Sequence, residues 1–208
     1  MKSKLKIFTL LFAASFIFTA CDNEPTPRHP SQIDVGVVID GIRWATRNVD
    51  FPGTFVDNPQ DAGMFFQWNR RQGWNTTDEY VEGWDSSIPE GEIWERRNDP
   101  CPIGWRVPTY EELTNLQSQP NAWTTKSGVN GHLFGTYPNQ IFLPVAGFRF
   151  GNTGSIHLPW ALTNGNYWSS TQHIDREHAR SLRFWDDGAD VSRSWRPAGL
   201  LVRCVAEN

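Results

Sequence analysis

Eleven tryptophans stand among 208 residues, alongside seventeen glycines. An indole buries a large area and carries one N–H that must find a partner. Over most of the chain no sustained helical period accompanies these residues. The expectation is therefore a loop-heavy domain held together by aromatic packing. An indole face also stacks on sugars and other flat ligands, so surface tryptophans are candidate anchors.

The N-terminus carries a different signal. Lys2, Lys4 and Lys6 form a positive start, Ile7 to Phe18 is a run of apolar and small residues, and Thr19-Ala20-Cys21 follows. A positive start, a short apolar run and a small-residue site describe an export signal, and the run is shorter than the roughly 20 residues that span a bilayer. The cysteine after the small pair resembles a lipobox; the alternative is an ordinary signal peptide with an incidental cysteine. The expected organisation is a signal peptide over 1–20, a lipidated tether over 21–34 that begins at Cys21, and a single domain over 35–208. Acyl chains on Cys21 would hold the protein to a membrane without spanning it. Asp22 and Glu24 resemble the surface-export signals of Bacteroidetes lipoproteins, which implies a lipid-anchored protein of the outer membrane or cell surface. Pro25, Pro27 and Pro30 suit a stiff tether.

With Cys21 assigned to lipid, Cys101 and Cys204 remain. In an oxidising compartment two such thiols normally pair, and neither CxxC nor Cys/His metal spacing lies nearby. The net charge of −4 supplies no basic field for nucleic acid.

Local signals place several elements. Val35 to Ile39 and Ile42 to Ala45 flank Asp40-Gly41, a hairpin turn pair. Met64 to Trp68 reads as a short strand within a long loop region. Thr109-Tyr110-Glu111-Glu112 is a capping box, with Leu113 and Leu116 facing inward and Pro120 as the stop. Ile141 to Phe150 suggests a kinked strand. Tyr167 to Thr171, Ala179 to Trp185, Ala189 to Ser192 and Leu200 to Val205 suggest closing antiparallel strands, with a turn at Asp187-Gly188. Trp68, Trp105 and Trp168 are expected in the core, and Arg106 and Arg203 are expected to bond loop carbonyls.

Six blocks carry a family resemblance: Trp44 to Val49, Phe66 to Trp68, Asp99 to Thr109, Leu143 to Gly147, Tyr167 to Thr171 and Val202 to Val205. Together they resemble the Fibrobacter succinogenes major paralogous domain of Bacteroidetes and Fibrobacter surface lipoproteins, from about Val35 to Val205. The resemblance implies an α+β, C-type-lectin-like fold, loop-rich, with short antiparallel strands, one or two helices, joined ends and loops displayed on one face. Cys101 and Cys204 match the family's cysteine positions, which adds to the case for a disulfide. The resemblance extends to the variable proteins of diversity-generating retroelements, whose C-terminal segment lines a ligand-binding face. Residues 172–200 hold that position here.

That segment supplies the candidate ligand-binding residues: His173, Asp175, Arg176, His178 and Arg183, then Trp185, Asp186, Arg193, Trp195 and Arg196. Trp and Arg are enriched in binding hot spots; the alternative is that Trp185 and Trp195 plug the loop side of the domain. His173 to His178 does not have the spacing of a zinc helix. Gln119-Pro120-Asn121 mimics a calcium- and sugar-binding tripeptide, but reads as a helix stop. No nucleophile elbow, phosphate loop or dinucleotide fingerprint is present. The family of formylglycine-generating enzymes has a related fold, but here both mature cysteines match the disulfide positions. The sequence thus points to a non-enzymatic, surface-anchored binding protein with a protein or glycan ligand and no cofactor. A structural or fimbrial-tip assembly subunit is the alternative.

Overall fold

Asp40 and Gly41 take positive φ, 46° and 79°, and this two-residue loop folds β1 (Val37–Ile39) onto β2 (Ile42–Trp44), with Ile39 opposite Ile42. The structure is a computed structural model that describes residues 33–156 and 158–207. The expected signal peptide, Cys21 and nearly all of the expected tether lie outside the described residues. At the other end of the chain, β13 (Val205–Ala206) lies between β2 and β5 (Trp105–Arg106), with Val205 opposite both Trp44 and Arg106. The sheet order is β1-β2-β13-β5, so one small sheet joins the two ends of the domain. Cys101 and Cys204 form a disulfide beside it, across a sequence separation of 103.

Three further small sheets complete the α+β architecture. β3 (Phe65–Gln67) pairs with β4 (Gly73–Trp74) and with β12 (Gly199–Leu200). The single closing strand expected over Leu200 to Val205 is thus two strands in two sheets. The buried chain between them crosses over, with the Ala45 N–H donating to the Cys204 carbonyl and the Val49 N–H to that of Val202. The sheet of β6 (Asn121–Lys126), β7 (Val129–Thr136) and β8 (Asn139–Pro144) was only partly anticipated. β6 is a polar edge strand without a buried face, so period-two alternation does not announce it. The fourth sheet is β9 (Gly165–Gln172), β10 (His178–Trp185) and β11 (Gly188–Trp195), with β10 in the middle. Its β10–β11 turn is Asp186-Asp187, one residue earlier than the expected Asp187-Gly188, because Trp185 pairs with Gly188.

Helix α1 (Tyr110–Ser118) starts as the capping box dictates. The Glu112 N–H donates to Thr109 Oγ1 at 3.3 Å, and the Thr109 N–H donates to Glu112 Oε2 at 2.7 Å. Leu113 and Leu116 are buried, as expected. Arg106 differs from expectation. Its guanidinium makes paired bonds of 2.8 and 2.7 Å to Glu112, with only a long bond to a carbonyl, so it locks the cap carboxylate in place. A second helix, α2 (Leu158–Ala161), is a single turn.

Tryptophans organise the core. Trp168 Nε1 donates to the Phe66 carbonyl at 2.7 Å, and Trp68 Nε1 donates to that of Ser169 at 3.0 Å. These reciprocal bonds tie β3 to β9 and satisfy both indoles. Trp105 is only half-buried, set edge-on against Phe55, so it sits at the margin of the core. Arg203, by contrast, is 1% exposed and donates to Asn48 Oδ1 and to the carbonyls of Ala45 and Phe142. Burial pulls its pKa down to about 10, so it remains charged at neutral pH.

His132 on β7 sits among the rings of Trp123, Phe134 and Phe184. Its Nε2 lies 2.9 Å from the Trp185 carbonyl, which can only accept, so Nε2 carries the hydrogen, while buried Nδ1 has no partner. Burial lowers the pKa of this imidazole. Its folded pKa therefore lies below the unfolded value of about 6.5. Stability tied to the neutral ring is complete above that value and falls as pH drops below it. Urea titrations at pH 7.5 and 5.5 should show a larger loss for the parent than for His132→Gln. An equal loss in both would refute this role.

Candidate binding groove

The pleat of the β9–β10–β11 sheet sorts the segment that the sequence singled out. Leu182 and Phe184 face the core that α1 covers, and Arg180, on the same side, stacks over the Tyr110 ring of α1 at 4.7 Å. Arg193 pairs with Arg180 in register and so belongs to that side. Arg183 and Trp185 alternate to the opposite side. The expected single face is therefore two faces.

On one side, Asp175 gathers a cluster. Its carboxylate accepts from the backbone N–H groups of Glu177 and His178. His173 Nδ1 lies 3.0 Å from it, His178 Nδ1 3.1 Å and Arg193 Nη1 2.8 Å. Partial desolvation raises this carboxyl, but the bonds from His178 and the nearby imidazoles outweigh it and hold the pKa at about 2. The cluster closes the β9–β10 loop and fastens it to β11. Among the described residues no group of three or more His, Cys, Asp or Glu is placed to hold a metal ion. Arg176 adopts φ 61° in this loop and lies 3.8 Å from Glu92 at the surface.

Arg196 must be removed from the ligand-contact set. It is 3% exposed, lies over the Trp68 ring at 4.1 Å, and donates to the carbonyls of Arg176 and Gly91. These contacts make it a brace between loops. Asp186 is exposed at the tip of the β10–β11 hairpin.

On the other side, Arg183 and Trp185 converge with a stretch the sequence reading treated as a kinked apolar strand, and Trp195, at the end of β11, leaves the pleat to join them. In Phe148-Arg149-Phe150 the usual pattern is inverted: Arg149 is 0% exposed and both phenylalanines are partly exposed. Arg149 reaches the Asn75, Asp78 and Gly154 carbonyls, which pin the 149–156 turn to the 75–78 loop. Burial pulls its pKa down to about 10. The turn gives Trp195 its seat. A Cβ on Gly151 would lie 2.5 Å from Trp195 Cε3, so only glycine leaves room for the ring. Trp84 supports the turn from behind by donating Nε1 to the Gly151 carbonyl at 2.9 Å.

The result is a groove of two adjoining hollows. One, of about 500 Å³, has Phe150, Asn152 and Trp195 among its walls. The other, of about 320 Å³, has Trp160, Asn164 and Trp185. Phe148, Asn166 and Arg183 line both. Of these residues the sequence pointed only to Arg183, Trp185 and Trp195. The available signal for the rest was the aromatic–arginine–aromatic alternation at 148–150, which places two rings on the face opposite a charge. A hollow of about 570 Å³ near the chain end is less suited to a ligand. Its Arg96 pairs with Glu207 and its Arg106 with Glu112, so its charged groups already hold each other.

Comparison of the chain with protein-family models, with curated proteins and with solved structures found no match.

Proposed function

We propose that this chain is a lipid-anchored, non-enzymatic protein of the outer membrane or cell surface, with a C-type-lectin-like domain of the Fibrobacter succinogenes major paralogous type, and that it binds a protein or glycan through the groove beside β10. The inverted burial at Phe148-Arg149-Phe150 carries the reading. A chain that buries an arginine while leaving two rings partly in solvent has given those rings a use outside the core. The paired chain ends and the Cys101–Cys204 bridge support the domain assignment, and the sequence around Cys21 supports the anchor. Binding residues on loops and strand ends held by a rigid scaffold are a common arrangement.

Two experiments test this. Cys21→Ser is expected to abolish labelling by a fatty-acid analogue, and equal labelling of variant and parent would sink the anchor. For the groove, Trp160 is 44% exposed and Trp185 is half-buried. Replacing both by alanine should cost about 1 kcal/mol of stability, on the scale of surface substitutions. It should also abolish attachment to the bacterial or host surface that the parent binds. Unchanged attachment at unchanged stability would end the groove reading.

A further inference from the structure

Resting on the reading of this groove as the binding site, we propose that its ligand is an uncharged oligosaccharide of at least two sugar units, one packed at the Trp195 end and the next at the Trp160–Trp185 end. Three observations on the groove lead there.

The first is the chemistry of the walls. Each hollow has an indole, and the polar groups between the rings are neutral: Asn152, Asn164, Asn166 and Ser194. A sugar ring has an apolar C–H face and a rim of hydroxyls. The face packs on an aromatic ring while the hydroxyls exchange hydrogen bonds with amides, which both donate and accept. A ligand that is purely apolar would leave those amides without partners on desolvation.

The second is charge. The guanidinium of Arg183 is the charged group on the ridge between the hollows, and Asp190 already neutralises it: Nε and Nη2 lie 3.3 and 2.9 Å from the carboxylate oxygens. This pair offers neither an acidic nor a basic ligand an uncompensated partner. The remaining Arg183 nitrogen, Nη1, donates to a neutral oxygen as readily as the amides do. An uncharged, hydroxyl-rich ligand is what this lining complements.

The third is division and rigidity. The hollows of about 500 and 320 Å³ meet at Phe148, Asn166 and Arg183, and each falls in the usual range of about 300–1,000 Å³ for small-molecule sites. Two such compartments in line suit a chain of repeating rings better than a single compact molecule. Trp195 is fixed on Gly151, and the Gly151 turn is fixed by Trp84. Asn166 donates to the Gly147 carbonyl, which orients its amide. Such walls are ordered before the ligand arrives, which lowers the entropy cost of binding.

Isothermal calorimetry of the whole protein tests the assignment. The probes are uncharged gluco-, manno-, galacto- and xylo-oligosaccharides of one to six units, together with sialylated and sulfated oligosaccharides. At least one uncharged series should bind, with affinity rising tenfold or more from the monosaccharide to the short oligomers and then levelling off. Trp185→Ala and Trp195→Ala should each weaken it tenfold or more, Trp185→Phe should retain most of it, and Ile103→Ala, 79% exposed and away from the groove, should leave it unchanged. Melting temperatures of the same variants separate lost binding from lost folding. If Trp195→Ala unfolds the domain, Trp160→Ala and Trp185→Ala carry the test. Binding of no uncharged oligosaccharide, or of charged ones alone, overturns the proposal. A surface assay separates this failure from failure of the groove itself. Attachment abolished by periodate and spared by protease agrees with the proposal. Attachment abolished by protease alone, yet still dependent on Trp160 and Trp185, makes the ligand a protein and overturns it. Attachment indifferent to both tryptophans overturns the groove as well.

Discussion

Replacing Cys101 and Cys204 together by alanine is expected to lower the unfolding free energy by about 4–5 kcal/mol, the chain-entropy value for a loop of this length. The bridge closes a separation of 103 residues, and that closed loop contains α1, the sheets from β6 to β11, and the whole groove. Without it the unfolded chain gains the freedom of a long open segment. The folded state keeps its local contacts at the bridge: the Cys101 N–H still donates to Asp99 and the Cys204 carbonyl still accepts from Ala45. The loss should therefore appear chiefly through the unfolded state. Urea titrations of the parent and the double-alanine variant measure it. A difference below about 1 kcal/mol would mean that the pairing of β13 with β2 and β5 alone restrains the chain ends.

Arg203→Met should cost about 3–5 kcal/mol, because three buried acceptors lose their donor at about 1–3 kcal/mol each. The methionine fills much of the same space but donates nothing. Asn48 Oδ1 and the carbonyls of Ala45 and Phe142 then lose their donor in a site closed to water. The damage extends through Asn48, whose amide donates to the Tyr167 hydroxyl, which in turn donates to the Pro144 carbonyl. Desolvation drives the pKa of this phenol up, so it stays a neutral donor. A double-mutant cycle with Asn48→Ala should give a coupling energy above 1 kcal/mol. Additive losses would show that the two side chains act separately.

What the sequence made legible follows the range of each signal. Local chemistry was readable where a few adjacent residues decide the outcome: the Asp40-Gly41 turn and the Thr109–Glu112 cap both form as their residue types require. Arg106 was misread because its partner, Glu112, looked fully used by the cap. The β6–β7 hairpin was missed because β6 is a polar edge, held by pairing rather than by an apolar stripe. Leu200 to Val205 read as one strand because all but Arg203 is apolar, yet the whole stretch, Arg203 included, is buried because it crosses between sheets. The groove was half visible. Trp185 and Trp195 stood out by residue type, but Phe148 and Phe150 read only as the end of a kinked strand, since an apolar run does not show which way its side chains turn. Arg196 was misassigned for the converse reason: a charged side chain in a loop segment suggested solvent, and the structure buries it over Trp68.

The junction at the start of the domain has a mechanical consequence. Asp34, 8% exposed, accepts from the Thr46 N–H and hydroxyl and from Arg47, ahead of β1. A pull on the chain from its N-terminal side thus loads this clamp before it can peel β1, whose three pairs with β2 would otherwise open one at a time. Once past β2, tension reaches Cys101 and divides. One branch continues forward along the chain toward the groove, and the other crosses the disulfide to Cys204 and runs backward toward β11. A ligand held at Trp185 and Trp195 therefore hangs from two covalent strands, and the groove keeps its shape for as long as the segment before Cys101, which supplies Trp84 and the 75–78 loop, stays folded.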